Sequence, residues 1–162
     1  MRILIYSSLL YAFLSVFGSA KEWTKFRGPS GDGHVTVKSI PLKWSETENV
    51  KWKVSVPGKG WSSPVISADK IYLTSAVAEG DNQDAAEVHR ELRVICFSAN
   101  NGEKLWDTKV FDQKPLKRPI HHKNSHASPT AIVDNDRIYV HFGHMGSACL
   151  NLQGEIIWRN DE

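Results

Sequence analysis

The chain has 162 residues, 41% of them apolar and six of them Trp, and it sets 20 Lys plus Arg against 18 Asp plus Glu for a net charge of +2. That balance excludes a protein held to nucleic acid or to an anionic membrane surface by bulk charge. The apolar and Trp content fits an ordered, all-β exported domain.

In chain order, residues 1–20 read as a secretory signal. Arg2 supplies the positive start, Ile3 to Phe17 is mostly apolar, and Gly18-Ser19-Ala20 is a small-residue cleavage site. The apolar run is short for a membrane span and is interrupted by Ser7, Ser8 and Ser15. No Cys follows the small residues, so nothing points to a lipid anchor. The expectation is bacterial export to the periplasm or the medium, with no membrane span after cleavage. Residues 21–49 read as an irregular lead-in. Gly28-Pro29-Ser30-Gly31-Asp32-Gly33 follows no strand and opens no helix, so it reads as turns and not as a phosphate cradle.

Val50 to Val56, containing Trp52, reads as a lone outer strand. A first four-strand module follows at about residues 61–110: strand A over Ser62–Ser67, B over Lys70–Ala76, C over Leu92–Ser98 and D over Glu103–Val110. Ala68-Asp69 reads as the A–B turn, and Asn101-Gly102 as a type I′ turn with both central residues at positive φ. A second module at about 126–159 repeats the order: Ala127–Val133, Arg137–Phe142, Ser147–Leu152 and Glu155–Arg159. Strands A and B are apolar on both faces, as suits a sheet sandwiched between two others.

The modules match residue by residue. Trp106 follows Gly102 and Trp158 follows Gly154, each by four residues, and the steps Trp52–Trp106 and Trp106–Trp158 are 54 and 52 residues. Ser63-Pro64 is echoed by Ser128-Pro129, Lys70-Ile71-Tyr72-Leu73 by Arg137-Ile138-Tyr139-Val140, and Cys96 by Cys149. A period of roughly 50 residues filled with short strands predicts propeller blades over residues 50–162. The fold expected is all-β, a partial propeller of four-stranded antiparallel blades. An outer-strand indole that lies flat on a neighbouring blade buries up to roughly 250 Å². Cys96 and Cys149 occupy equivalent slots in neighbouring blades, too far apart for a disulfide, and read as buried small apolar residues. Two blades cannot close a ring, since propellers usually have about four to eight, so the stretch reads as the opening fragment of a longer ring.

Cys96 to Trp106 resembles the tryptophan-docking repeat of pyrroloquinoline-quinone (PQQ) propellers, roughly Ala-x-Asp-x-x-Thr-Gly-Lys-x-x-Trp; Gly102 and Trp106 match, while Cys96, Ser98, Asn101 and Glu103 stand in the other marked places. Cys149 to Trp158 matches more loosely, one residue shorter. The stretches Trp23 to Pro29, Gly60 to Pro64 and Lys123 to Pro129 are also similar to exported bacterial PQQ-like propeller proteins. The resemblance implies one of two activities. The first is a binding or scaffold module without a cofactor. The alternative is the N-terminal part of a quinoprotein dehydrogenase that oxidises alcohols or sugars with PQQ and calcium. The paired cysteines and carboxylate ligands of the dehydrogenase type have no match in this stretch.

The candidate binding face is drawn from Trp61, His121, His122, His126 and His144. In a propeller the B–C and D–A connections share one face, where strand A begins at the central channel. Trp61 and His126 stand at equivalent places there, and His144 lies in the B–C turn. The two longest connections reach the same face: Val77 to Glu91 is acidic and Phe111 to Ser125 is basic. The partner expected on it is a protein or a small-molecule ligand. Imidazoles ligate Zn or Cu, but the spacing of His121, His122 and His126 fits no standard site, and adjacent residues of an extended chain point apart. Asp134-Asn135-Asp136 lacks the twelve-residue calcium pattern and reads as a tight turn. No nucleophile motif such as Gly-x-Ser-x-Gly is present, so no catalytic residue is assigned.

Overall fold

The computed structural model describes residues 22–37, 39–80, 87–116, 120–121 and 123–161. Among these residues, eight strands form two four-stranded antiparallel sheets. The first holds β1 (Val65–Ser67), β2 (Lys70–Ala78), β3 (Arg90–Ser98) and β4 (Lys104–Gln113) in that order. The second holds β5 (Ile132–Asp134), β6 (Arg137–His141), β7 (Ser147–Asn151) and β8 (Ile156–Asn160), also in order. Each strand pairs with its sequence neighbour, as expected for short connections between apolar runs.

Both sheets are laid out on the same register. Val65 pairs with Tyr72, Tyr72 with Cys96 and Cys96 with Trp106. Ile132, Tyr139, Cys149 and Trp158 make the same row in the second sheet. Even the irregularity repeats. A bulge follows Cys96, with Leu105 as the extra residue, and another follows Cys149, with Ile157 as the extra residue.

The core lies between the sheets. Tyr72, Val94 and Cys96 of the first sheet pack with Val133, Ile138, Val140, Ala148 and Leu150 of the second. Phe111 meets Phe142 edge-on at 6.0 Å. Cys96 and Cys149 are free thiols and both are buried. Burial pushes the Cys96 thiol up to about 12, so it stays neutral and unreactive.

Several boundaries differ from the sequence expectation. β1 and β5 are only three residues long; ahead of them Ser63 N donates to Thr130 Oγ1 across the seam, and Ser62 Oγ accepts from Thr74 N within the first sheet. β2, β3 and β4 run past their expected ends into the long connections, where Ala78, Arg90, Phe111 and Gln113 are buried. Val50 to Val56 belongs to no strand. The Asn101-Gly102 turn is not type I′, because positive φ falls on Gly102 alone (φ 75). The loop is instead Ala99 to Gly102, closed by Gly102 N donating to Ser98 O at 2.9 Å. The residues with two successive positive φ values are Ala68 (45) and Asp69 (61), which make the two-residue β1–β2 hairpin.

The lead-in is more tied down than its composition suggested. Trp23 exchanges two backbone hydrogen bonds of 2.9 Å with Ile66 on β1, and Thr24 O accepts from Val133 N on β5 at 2.8 Å. The glycine-rich stretch folds into turns, with Gly31 N bonded to Gly28 O and Gly33 N to Arg27 O.

Candidate functional site

Two sets of residues bear on function: the tryptophan–glycine contacts that join the layers, and the loop-face cluster around His126.

The tryptophan contacts repeat with one geometry. A Cβ added to Gly102 would lie 2.7 Å from the Trp52 ring, and one added to Gly154 would lie 2.7 Å from the Trp106 ring. Each indole also donates to a carbonyl of the turn it covers: Trp52 Nε1 to Ala99 O at 3.0 Å, Trp106 Nε1 to Leu152 O at 3.2 Å. Glycine is required at both turns twice over, by positive φ and by the flat ring pressed on its α-carbon. Trp23 sits on Gly28 in the same way. Trp158 holds the slot of Trp106 but is 43% exposed.

At the seam, the chain ahead of β1 meets the chain ahead of β5. Trp61 N donates to Ala127 O at 3.1 Å, and Ser63 N to Thr130 Oγ1 at 3.0 Å. Thr74 Oγ1, which is buried, reaches Ala127 O and Pro129 O at 3.4 and 3.3 Å. Gly60 is forced here, because a Cβ would come within 2.6 Å of Thr74 O. A hydroxyl turn holds the next residues: Ser128 Oγ donates to Asn124 Oδ1 at 2.7 Å, and Ala127 N donates to Ser125 Oγ at 3.2 Å.

His126 directly precedes Ala127, whose carbonyl accepts from Trp61 N. Its imidazole is held down to about 4, first by burial and then by the nearby charges of Arg90 and His144, so it is neutral at pH 7. Arg90 opens β3, is buried, and donates from Nη1 to Val88 O at 3.3 Å. Opposite it on β4, Gln113 is buried, with no hydrogen-bond partner for Oε1 among the described residues. The Trp61 indole, by contrast, is 58% exposed. This end of the sheets therefore carries an open indole, a neutral imidazole and a buried guanidinium. That arrangement can stack on a planar or sugar ring and hydrogen-bond its polar edge.

The other expected members fall differently. His144 lies in a 3₁₀ turn, Gly143–Met145, and is exposed. His121 is exposed, and its Nδ1 accepts from Lys123 N at 3.2 Å. His122 lies outside the described residues. Among the described residues no group of three or more His, Cys, Asp or Glu side chains is placed to hold a metal ion. Cys96 and Cys149 are separate, buried thiols. Arg90 and Gln113 were missed in the sequence. The only signal was a charge and an amide at strand ends, and such residues are usually exposed.

A cleft of about 630 Å³ lies at the base of the β2–β3 connection, lined by Val77, Ala78, Glu79, His89 and Glu91. His89 Nε2 stands 3.2 Å from Asp112 Oδ1. The acidic lining agrees with the composition of that connection. No helix among the described residues is long and apolar enough to cross a membrane. Comparison with protein-family models and with curated proteins finds no match.

Proposed function

We propose that this chain is an exported β-propeller repeat protein of the PQQ-like type, working as a binding or scaffold module. The observation that carries the propeller reading is the pair of indole-on-glycine contacts, Trp52 on Gly102 and Trp106 on Gly154, which recur with one geometry. An accidental core tryptophan has no reason to select a glycine turn and a turn carbonyl twice. The binding face is the end of the sheets where Trp61, His126 and His144 lie. Its ligand class is a planar or sugar-like group with polar edges, because the exposed surface offers an indole and an uncharged imidazole. Under this reading the chain holds a ligand and performs no chemistry on it.

The test is a panel of neutral oligosaccharides and short peptides added to the full chain, read by thermal shift and tryptophan fluorescence. The expected result is stabilisation by at least one member, lost in Trp61→Ala and weakened in His126→Gln. Stabilisation that survives Trp61→Ala, or none across the panel, overturns the assignment of this face. Dye-linked oxidation of an alcohol or sugar after addition of PQQ and Ca²⁺ would overturn the cofactor-free reading.

A further inference from the structure

The two glycine turns beneath the indoles carry different residues ahead of the glycine. The turn that Trp52 covers ends in Asn101-Gly102, and the turn that Trp106 covers ends in Gln153-Gly154. The sequence holds a single Asn-Gly pair, and this is it. Asparagine before glycine is the pair most prone to deamidation, because the glycine nitrogen closes a five-membered imide on the asparagine side chain and no glycine side chain obstructs it. Glutamine would have to close a six-membered ring, which is far slower. Gln153-Gly154 is therefore an internal control, alike in its covered turn and inert in its chemistry.

The fold presents one reacting group and withholds the other. Asn101 is exposed, and its carboxamide is folded back on its own backbone: Glu103 N donates to Oδ1 at 3.1 Å, and Nδ2 donates to Glu103 Oε2 at 3.4 Å. Gly102, by contrast, is buried under the Trp52 ring, and its N–H is engaged by Ser98 O at 2.9 Å. That amide must lose its proton to become a nucleophile, and both the hydrogen bond and the ring oppose the loss. The cover is slight. Residues 50–56 form no strand, and Val50, Val54 and Val56 are exposed. Among the described residues, the hydrogen bond that ties this stretch to the first sheet is Trp52 Nε1 to Ala99 O. A segment held at one point opens locally far more often than the sheet beneath it unfolds.

We propose that Asn101 is a deamidation site gated by the Trp52 dock. While the ring is seated, Gly102 N stays bonded to Ser98 O and the side chain keeps its amide. When the ring lifts, Gly102 N gives its proton to water or hydroxide and attacks Asn101 Cγ. The Cγ–Nδ2 bond breaks, and Nδ2 takes up a proton from solvent and leaves as ammonia. Water then opens the imide at either carbonyl, which leaves aspartate or isoaspartate at residue 101. No oxidant or reductant is involved. Each product sets a new carboxylate two residues from Glu103, whose own carboxylate had accepted from Nδ2, so attraction turns to repulsion. Isoaspartate also lengthens the main chain by one methylene inside the turn on which Trp52 sits. The ring then cannot reseat in the same geometry, and an opening of the dock becomes a permanent mark. The inference rests on the Trp52 contact and not on the loop-face ligand, so the two fail separately.

The test is peptide mass spectrometry of the full chain during incubation at neutral and mildly alkaline pH, with isoaspartate scored by enzymatic methylation and folding of each variant checked by circular dichroism. The chain unfolded in guanidinium chloride sets the ungated rate at Asn101, and Gln153 should keep its amide even there. Folded wild type is expected to deamidate at Asn101 at least about tenfold more slowly than the unfolded chain, and Trp52→Ala to recover most of that rate while still folded. Should Trp52→Ala fail to fold, Trp52→Phe, which keeps a ring but releases Ala99 O, decides alone with an intermediate rate. Folded wild type that deamidates as fast as the unfolded chain overturns the gate, as does a folded Trp52 variant no faster than wild type. An Asn101 that keeps its amide in the unfolded chain, or one no faster there than Gln153, overturns the site itself.

Discussion

The first and second sheets are built on one register, yet their corresponding residues live in different surroundings. Tyr72 is sealed in the core, while Tyr139, in the same slot, meets solvent. Trp106 is pinned to Gly154, while Trp158 is open. The lesson is that the repeat encodes a geometry and the neighbour decides its energy. The same Tyr–Cys–Trp row contributes strongly where a second layer closes over it and little where none does.

The largest break in that comparison should come from the tryptophans. Trp106→Ala removes the ring that covers Gly154 and should destabilise by about 3–5 kcal/mol in urea unfolding, whereas Trp158→Ala in dilute protein should cost under about 1 kcal/mol. Equal losses at the two positions would erase the distinction. Gly154→Val strikes the same contact from the other side. Its Cβ would lie 2.7 Å from the Trp106 ring at a φ of 86°, so a loss of about 2 kcal/mol or more is expected.

A smaller effect concerns His126 at the seam. Its folded value near 4 lies below that of an unfolded histidine, so the unfolded chain takes up a proton first as pH falls. The stability that this residue contributes is complete above about pH 6.5 and is lost as pH drops toward 4. Allowing for solvent screening of a half-buried ring, the loss is of order 1–2 kcal/mol. His126→Gln should flatten that part of the stability profile; an unchanged profile would place the acid sensitivity elsewhere.

The smallest effect sharpens the comparison within the Tyr pair. Tyr72 Oη is buried without a partner. Tyr72→Phe should therefore be neutral or stabilising by up to about 1 kcal/mol, while Tyr139→Phe should change almost nothing. A clear loss from Tyr72→Phe would mean that the hydroxyl is satisfied by a bound water.

Much of this architecture was legible in the sequence because it is periodic. The four-residue step from Gly102 to Trp106 and from Gly154 to Trp158 marked the two outer strands, and apolar runs bounded by turns marked the rest. The loop at Asn101-Gly102 was misread because the dipeptide favours a two-residue hairpin, whereas Trp52 claims Ala99 O and the turn widens around it. Val50 to Val56 alternates like a strand but finds no strand to pair with, so its only sheet-like feature is the docked Trp52. The pairing of Trp23 with Ile66 left no local trace, since its partner lies 43 residues away. At the loop face, Trp61 and His126 were read as equivalent positions, and Trp61 N donates to the carbonyl of Ala127, the residue after His126. Arg90 escaped notice because only the folded connection brings its charge near His126.

The account stands on indoles seated on glycine turns with their N–H groups bonded to turn carbonyls. Hydrogen exchange of the indole N–H groups, followed by nitrogen-15 NMR, tests it most directly, with the exposed Trp44 and Trp61 as internal references. The Trp106 N–H should exchange far more slowly than either reference and lose that protection in Gly154→Val. A Trp106 N–H that exchanges as fast as that of Trp44 would contradict the account.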